Sequence, residues 1–374
     1  MDHRTVEDLF AVVAPGLEGV CARELSRLGV ADAEVVAGGI AFRGKLQTIY
    51  QANLWLRSAS RVLVRFGEFR CRAFPDLYKQ AARLPWGRFV RPGTPLSFRV
   101  SCRGSRLMHT ARVAETLHAA AQKSLGTSVA AQASTSQQVL VRIFDDQVTL
   151  SVDSSGELLH RRGYRRAVTK APLRETLAAG ILMLLDWQAE EPLADPMCGT
   201  GSFVLEAAML AARRAPGLER EFAFMQWPGY RGGLWQQLCT EARRQQQAVV
   251  SPLEGTDQDA SAIDAARANL SRLDLEGLVC FRQRELADSP VYPGIGLVVC
   301  NPPYGRRLVP EESLLSFYRA FGQHVQRAYP GWRVALLCPE SFLVNATRLP
   351  FDKVTALKNG GLQVGLYLTH GGEG

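Results

Sequence analysis

The residues with the most specific chemistry are Asn301, Pro302, Pro303 and Tyr304, which follow an apolar stretch at 296–300 typical of a buried strand. An exocyclic amine of a nucleic-acid base is a poor nucleophile because the ring delocalises its lone pair. The side-chain oxygen of Asn301 and the carbonyl of Pro302 can accept both amine hydrogens, since the prolines fix the backbone. Tyr304 offers a ring for a base taken out of its helix. This segment therefore predicts chemistry on a base amine.

A second segment, residues 195–202, reads Asp-Pro-Met-Cys-Gly-Thr-Gly-Ser and lies between a short strand and a helix. Gly199 and Gly201 would let a ligand approach the backbone closely. A dinucleotide-binding fingerprint needs a third glycine where Val204 stands. The pattern instead resembles the cofactor loop of class I methyltransferases, which use S-adenosylmethionine. Taken alone, the loop leaves a dinucleotide site and an ordinary turn open.

Two acidic residues follow later strands and favour the methyltransferase interpretation. Asp257 ends the second strand, where its carboxylate can accept hydrogen bonds from both ribose hydroxyls. It lies much further from Gly201 than the ~20 residues usual in dinucleotide folds, because an insertion at 213–252 intervenes. Glu285 follows the third strand and could reach the adenine amino group, although a surface glutamate is an equally good interpretation. The order of loop, acid and Asn-Pro-Pro-Tyr predicts methyl transfer by positioning, without a covalent intermediate.

Cysteine and histidine patterns argue against other chemistries. The eight cysteines and six histidines form no metal-ligand spacing, so no metal site is predicted. Methylation of a pyrimidine carbon needs a cysteine nucleophile, whereas Cys198 and Cys300 are interpreted as packing or lining residues. Dispersed cysteines, no signal-peptide pattern at the N-terminus and no apolar run of membrane-spanning length predict a cytoplasmic protein that does not enter a membrane.

Positive charge is concentrated in the first half of the chain. The net charge of +8 divides into +11 for residues 1–170, with 25 basic and 14 acidic residues, and −3 for residues 171–374. Residues 57–112 hold 13 basic and two acidic residues. Such clusters neutralise phosphates, so we expect a nucleic-acid-binding face rather than a merely solvated surface. The arginines chosen to represent this face are Arg103, Arg106, Arg161, Arg162, Arg165 and Arg166.

The hydrophobic patterns predict an α/β protein with two styles of architecture. Short strands and helices alternate in the first half, as in an α+β domain. In the second half, apolar strands at 193–195, 253–257, 296–300 and 332–338 are each followed by helical or loop segments, which predicts a parallel, doubly wound sheet. A turn signal at 358–360 predicts a closing antiparallel pair of strands.

The whole chain resembles a THUMP-domain RNA guanine-N2-methyltransferase of the bacterial large-subunit rRNA type. The resemblance rests on both motifs above and on segments 9–18, 38–44, 52–57, 158–165, 171–176 and 227–230. It implies a ferredoxin-like leader at 1–44, a THUMP domain at 45–156, a basic linker at 157–168 and, at 169–374, a Rossmann-like methyltransferase domain with a mixed seven-stranded sheet. Some relatives carry a second methyltransferase domain; this sequence ends at Gly374, so no coupled second modification is expected.

The resemblance also assigns roles to individual residues. Asn301, Pro302 and Tyr304 are expected at the target amine. The residues expected to contact S-adenosylmethionine are Thr176, Asp195, Pro196, Met197, Cys198, Gly199, Gly201, Asp257, Gln258, Glu285 and Leu286. Many relatives have aspartate where this chain has Glu285.

The leading functional hypothesis is methylation of a guanine 2-amino group in 23S rRNA. A tRNA guanine is the close alternative, and a protein glutamine amide is the target in a different enzyme class that also uses Asn-Pro-Pro-Tyr. The alternative that is not an enzyme is a non-catalytic RNA-binding scaffold. The intact Asn301–Tyr304 segment argues against it.

Overall fold

The computed structural model describes residues 5–126, 136–165, 173–275, 277–304 and 311–370. Contacts within the chain divide it into two compact units. Unit 1 consists of Met1–Val13, Cys21–Leu159 and Arg220–Thr240, and unit 2 consists of Ala14–Val20, His160–Glu219 and Glu241–Gly374. In the described ranges, no helix is both long and apolar enough to cross a membrane.

As far as the structure describes it, the first part of the chain folds mainly into a seven-stranded sheet with four helices. In chain order, its elements are β1 (Glu7–Val13), α1 (Glu18–Arg27), β2 (Glu34–Val36), β3 (Gly39–Gly44), α2 (Leu46–Trp55), β4 (Ala59–Arg70), α3 (Phe74–Ala81), a 3-10 turn (Trp86–Arg88), β5 (Leu96–Arg103), α4 (Thr110–Leu125), β6 (Gln137–Phe144) and β7 (Gln147–Asp153). The strand order is β2-β3-β1-β4-β7-β6-β5, and only β5 and β6 pair in parallel.

Alternation along β6 explains how this sheet buries one face. Val139, Val141 and Ile143 are buried while Arg142 and Phe144 are exposed, as the two-residue period of a strand requires. Asp145 and Asp146 join β6 to β7 with φ angles of 48° and 63°. This left-handed pair is the backbone of a tight hairpin turn, and aspartate tolerates it better than most residues.

The second part of the chain forms another seven-stranded sheet flanked by helices. Its elements are α5 (Glu175–Leu184), β8 (Leu193–Asp195), α6 (Ser202–Ala211), a 3-10 turn (Ala223–Gln226), α7 (Gly232–Arg244), β9 (Leu253–Asp257), α8 (Ala260–Leu270), β10 (Val279–Gln283), a 3-10 turn (Leu286–Asp288), β11 (Leu297–Cys300), α9 (Glu311–Ala328), β12 (Arg333–Cys338), α10 (Ser341–Ala346), β13 (Phe351–Asn359) and β14 (Leu362–Thr369).

The order of this sheet, β10-β9-β8-β11-β12-β14-β13, confirms the predicted mixed seven-stranded α/β architecture. Strands β8 to β12 pair in parallel, and the β13–β14 hairpin closes the sheet in antiparallel orientation. Because the parallel strands end at one edge, the segments after β8, β9 and β11 lie side by side there.

The insertion predicted at 213–252 contributes residues 220–240 to unit 1. The indole N–H of Trp227 donates to the side-chain oxygen of Gln137 over 2.8 Å. Phe224 stacks on Tyr50 with a centroid separation of 4.4 Å. A buried aromatic cluster thus fixes this segment inside unit 1.

Candidate active site

The glycine loop begins at Asp195, the last residue of β8, which is buried. The N–H of Met197 donates to the Asp195 carboxylate over 3.2 Å, and the N–H of Gly201 donates to the Cys198 carbonyl over 2.8 Å. Gly199 and Gly201 have φ angles of 52° and 83°. This left-handed geometry explains the need for glycine at both positions.

The two glycines differ in what surrounds them. A Cβ atom at Gly201 would lie 2.6 Å from the ring of Phe281, so this glycine allows tight packing of α6 onto the sheet. At Gly199 a Cβ atom would meet no described atom within 4 Å. The backbone of Gly199 therefore faces open space, where a ligand can approach it closely.

Asp257, at the end of β9, is joined to this loop by direct hydrogen bonds. One carboxylate oxygen accepts from the N–H of Gly199 over 2.9 Å, and the other accepts from the N–H of Asp259 over 3.0 Å. The N–H of Cys198 also donates to the carbonyl of Thr256 over 2.9 Å. Each carboxylate oxygen of Asp257 keeps acceptor capacity for a further donor, such as a ribose hydroxyl.

The environment of Asp195 favours a positively charged ligand. Burial raises the pKa of this carboxyl group well above its ordinary value, and the nearby charge of Asp257 raises it further. A cation bound at this edge of the sheet would offset both effects. The loop and the two acids therefore fit S-adenosylmethionine, which combines a sulfonium with a ribose.

Asn301 follows β11, the strand between β8 and β12. Its side-chain oxygen is buried and accepts no hydrogen bond from the described residues. A buried acceptor without a donor costs about 1–3 kcal/mol. A ligand amine that donates to Asn301 would recover this energy, so the atom is suited to bind the predicted target group.

Hydrogen bonds from Tyr318 and Asn359 hold the segment after Asn301 in place. The hydroxyl of Tyr318 on α9 donates to the carbonyl of Pro303 over 3.4 Å. The side-chain amide of Asn359 donates to the hydroxyl of Tyr304 over 2.8 Å, while burial raises the pKa of Tyr304. Tyr304 is therefore held as a neutral phenol. Pro302 is buried, between Asn301 and the exposed Pro303.

The remaining predicted cofactor residues divide by exposure. Met197 and Leu286 pack against one apolar cluster. Thr176 is buried in the first turn of α5, and the hydroxyl of Ser202 on α6 donates to the carbonyl of Leu173 just before α5. Pro196 and Cys198 are buried within the loop. Gln258 and Glu285 are exposed, and the described contacts do not bring the Glu285 side chain to the other residues.

Two predicted RNA-binding arginines instead form buried ion pairs. Arg162 lies 3.3 Å from Glu206, with 1% and 0% of these side chains exposed. Arg165 lies 3.2 Å from Glu175 and donates to the carbonyl of Leu173. Both guanidinium groups are occupied inside unit 2, so neither is available for phosphate. This corrects the assignment of these two residues.

Of the other four predicted RNA-binding arginines, three remain candidates for phosphate contacts and one is not among the described residues. Arg103 and Arg106 are exposed, as is Arg161. Arg161 takes part in additional interactions. Arg166 lies outside the described residues.

The sequence interpretation missed several polar residues at this edge. The hydroxyls of Thr200 and Thr256 are buried without a hydrogen-bond partner among the described residues. Asn359 was read only as part of a turn, and Tyr318 lies in a helix 14 residues beyond Tyr304. The positions of these four residues in the sequence do not indicate a shared site, because only the folded sheet brings them to the same edge.

The cysteines near this edge are poor nucleophiles. Burial is the main cause of the raised pKa values of Cys198 and Cys300, so both thiols stay protonated. Neither thiol is therefore suited to the nucleophile role, whether it packs in the core or lines the site. None of the eight cysteines, all of which the structure describes, forms a disulfide. Within the described residues, no cluster of three His, Cys, Asp or Glu side chains could hold a metal ion.

Three family models match the chain. They are an RlmL ferredoxin-like domain over residues 8–63, a THUMP domain over 71–153 and an RMKL-like methyltransferase domain over 162–367. The first two confirm the predicted composition of the N-terminal part.

Two curated relatives are similar over nearly the whole chain. The ribosomal RNA large subunit methyltransferase K/L of Methylococcus capsulatus is 37% identical over 96% of this chain and 51% of its own length, so the chain spans about half of that relative. A putative RNA methyltransferase of Synechocystis, slr0064, is 32% identical over 96% of this chain and 95% of its own length.

Solved structures are similar across the full chain. The putative methyltransferase SMU.472, complexed with SAH, is 30% identical with a TM-score of 0.90 and covers 99% of this chain and 100% of its own. A Listeria monocytogenes protein described as a predicted N6-adenine-specific DNA methylase is 32% identical with a TM-score of 0.89, covering 98% and 97%.

Proposed function

Because the chain belongs to the RMKL-like methyltransferase family, we propose that it transfers a methyl group from S-adenosylmethionine to the exocyclic 2-amino group of a guanine in RNA, with 23S rRNA as the preferred substrate. The observation that carries this proposal is the buried side-chain oxygen of Asn301, which has no partner among the described residues and follows the strand next to β8, whose loop Asp257 holds.

The residues for the methyl donor are those of the glycine loop and its acidic partners. When bound, S-adenosylmethionine supplies an electrophilic methyl group on a sulfonium. The backbone of Gly199 faces open space, and Asp257 offers acceptors for the ribose hydroxyls. A nearby cation would favour the ionised form of the Asp195 carboxyl group. A relative's structure complexed with SAH supports this assignment.

The residues for the acceptor base are Asn301, Pro302 and Tyr304. Asn301 and the Pro302 carbonyl each accept one amine hydrogen, which directs the nitrogen lone pair toward the methyl group. Tyr304 stacks on the extruded guanine, and its hydrogen bond from Asn359 keeps the ring in place. No nucleophilic side chain is required, in agreement with the protonated thiols of Cys198 and Cys300.

RNA as the substrate class is supported by the THUMP match and by the basic first half of the chain. The rRNA assignment is supported by the identity to the Methylococcus enzyme. Eight cysteines without a disulfide agree with action in the cytoplasm.

The test is to identify the methylated nucleoside. The full chain is incubated with labelled S-adenosylmethionine and unmodified rRNA, tRNA or DNA, and the products are digested and separated. We expect label in N2-methylguanosine from rRNA, whereas label in N2-methylguanosine from tRNA alone would favour the alternative RNA. Label in N6-methyladenosine, or in DNA only, would refute the proposal.

A glutamine-containing peptide in the same assay tests the protein-substrate alternative. Wild-type protein that binds RNA but methylates none of these substrates would favour the non-catalytic scaffold.

A further inference from the structure

Three rows of side chains run across strands β5, β6, β7 and β4 on one face of the unit 1 sheet. The pairing registers align Arg99, Leu140, Ser151 and Arg65 in the first row, Ser101, Arg142, Thr149 and Glu68 in the second, and Arg103, Phe144, Gln147 and Arg70 in the third. We call these residues the open face.

The opposite face of the same strands is covered by helices. Phe98, next to Arg99 in β5, contacts His118 of α4, with ring centroids 6.3 Å apart, and also contacts Trp86. Because neighbouring residues of a strand point to opposite faces, Arg99 lies on the side away from α4. Arg99, Arg103 and Arg142 are accordingly exposed.

The open face is strongly basic. Its five arginines stand against one carboxylate, Glu68. Arg70, Arg99, Arg103 and Arg142 are exposed, and none of the four forms an ion pair with any residue that the structure describes. Burial lowers the pKa of Arg65, and the charge of Arg142 contributes to this shift. The charges of Glu68 and Asp8 act in the opposite direction, and that of Glu68 is larger than that of Arg142.

The same face carries an exposed aromatic ring. Phe144 is 42% exposed, and the guanidinium of Arg142 lies 5.5 Å from its ring centroid. An exposed ring between arginines is the combination that binds unpaired bases, because the ring stacks on a base while the arginines neutralise the flanking phosphates. Bases inside an RNA duplex cannot stack in this way.

We propose that the open face binds a single-stranded segment of the RNA substrate, with Phe144 stacked on a base and Arg99, Arg103 and Arg142 beside its phosphates. This proposal rests on the proposed function, since it assumes that the substrate is RNA. It places the site on β4–β7 and excludes Arg162 and Arg165, whose guanidinium groups are buried.

The charge test compares two double variants of the full chain that change the net charge equally. Arg99→Glu/Arg142→Glu alters the open face, and Arg27→Glu/Lys123→Glu alters exposed residues of α1 and α4. We expect the first to weaken binding of a labelled single-stranded oligoribonucleotide about tenfold or more and to reduce the salt-dependence slope by about 1.4, from two lost single-strand phosphate contacts. The second should retain wild-type affinity within about twofold.

The stacking test uses Phe144→Ala, Phe144→Leu and Phe144→Tyr. Loss of the ring should weaken single-strand binding about 5- to 100-fold in the first two variants, and tyrosine should restore it. Binding of the same sequence as a duplex should hardly change. All variants should melt at the wild-type temperature, because the altered side chains are exposed.

Methyl transfer by the wild type, measured in parallel, separates this proposal from the proposed function. One outcome is that the wild type methylates RNA while the open-face and control variants bind RNA equally well. This result would overturn the open-face proposal alone and would point to another class of partner for that face. Equal affinity of Phe144→Ala and wild type would also overturn it. RNA binding that depends on the open face, without methylation of any RNA, would leave this inference standing and refute the proposed function.

Discussion

The N–H of Gly199 and the carboxylate of Asp257 are 2.9 Å apart, and this hydrogen bond connects the loop after β8 to the end of β9. Asp257 accepts a second bond from Asp259, so one side chain orders the loop and keeps acceptor capacity for a ligand. The loop geometry and the cofactor contact thus depend on the same carboxylate.

Asp257→Ala should weaken binding of S-adenosylhomocysteine about tenfold or more, because it removes both the loop bond and the proposed ribose acceptor. Asp257→Asn keeps one acceptor oxygen and should retain part of the affinity. Titration calorimetry on the full chain measures both, with the exposed Asp264→Asn as the matched control. Unchanged affinity in Asp257→Ala would remove Asp257 from the cofactor site.

Asn301→Ala should lower kcat/KM about 100- to 1000-fold, the usual effect of losing one preorganised polar contact to a reacting group. Its affinities for S-adenosylhomocysteine and RNA should stay near wild type. Asn345→Ala, at an exposed position of α10, is the control. An Asn301→Ala enzyme with normal turnover would refute the role of Asn301 at the amine.

Alanine at the two loop glycines should have different effects. Gly201→Ala forces a Cβ atom against Phe281 and should lower the melting temperature strongly. Gly199→Ala has room for its methyl group and should lose only the ~1–2 kcal/mol of a left-handed backbone position, while losing affinity for S-adenosylhomocysteine. Thermal melting and calorimetry distinguish the two, and equal melting temperatures would contradict the packing role of Gly201.

The sequence predicted the fold best where strands and helices alternate strongly. Strands β8 and β9 lie at the predicted bounds, and the turn signal at 358–360 joins the predicted antiparallel pair, β13 and β14. The long helix α4 and the short strand β2 were not predicted. Helix α4 is rich in alanine and polar residues, so its apolar stripe, Val113, Leu117 and Ala120–Ala121, is weak in sequence.

The candidate site was predictable where its residues are contiguous, as in 195–201 and 301–304. The hydrogen bonds from Tyr318 and Asn359 could not be predicted, because they depend on the packing of α9 and β13. Arg162 and Arg165 were misread for a related reason. Their positive charges cluster in sequence, but the fold places buried carboxylates beside both of them.

The buried pair Arg162–Glu206 gives a stability prediction. Arg162→Met leaves Glu206 buried without its cation and should cost about 3–5 kcal/mol of unfolding free energy. The double variant Arg162→Met/Glu206→Gln should be less destabilised than the sum of its single variants. The exposed pair Arg43–Asp8 is the control, since Arg43→Met should cost no more than ~1 kcal/mol. Urea unfolding measures all four, and full additivity would contradict the coupling.

His160 gives a pH prediction. Burial is the main cause of its pKa falling to about 4 from the ordinary 6.5, and the charge of Arg174 is the next. The unfolded chain binds a proton at this residue below pH 6.5 while the folded chain does not, so His160 lowers stability as the pH falls from 6.5 to about 4.

His160→Gln should remove this part of the pH dependence. The unfolding free energies of variant and wild type should differ by a constant amount above pH 6.5 and diverge in favour of the variant below it. Parallel curves down to pH 4 would show that His160 protonates equally in both states.

The assignment of residues 220–240 to unit 1 and of 14–20 to unit 2 means that each unit is built from separate pieces of chain. Cutting the protein at any one peptide bond therefore yields two incomplete halves, and a clone of residues 160–374 would carry a segment whose packing partners are missing. A chimera that takes unit 1 from a relative must therefore exchange all three of its segments together.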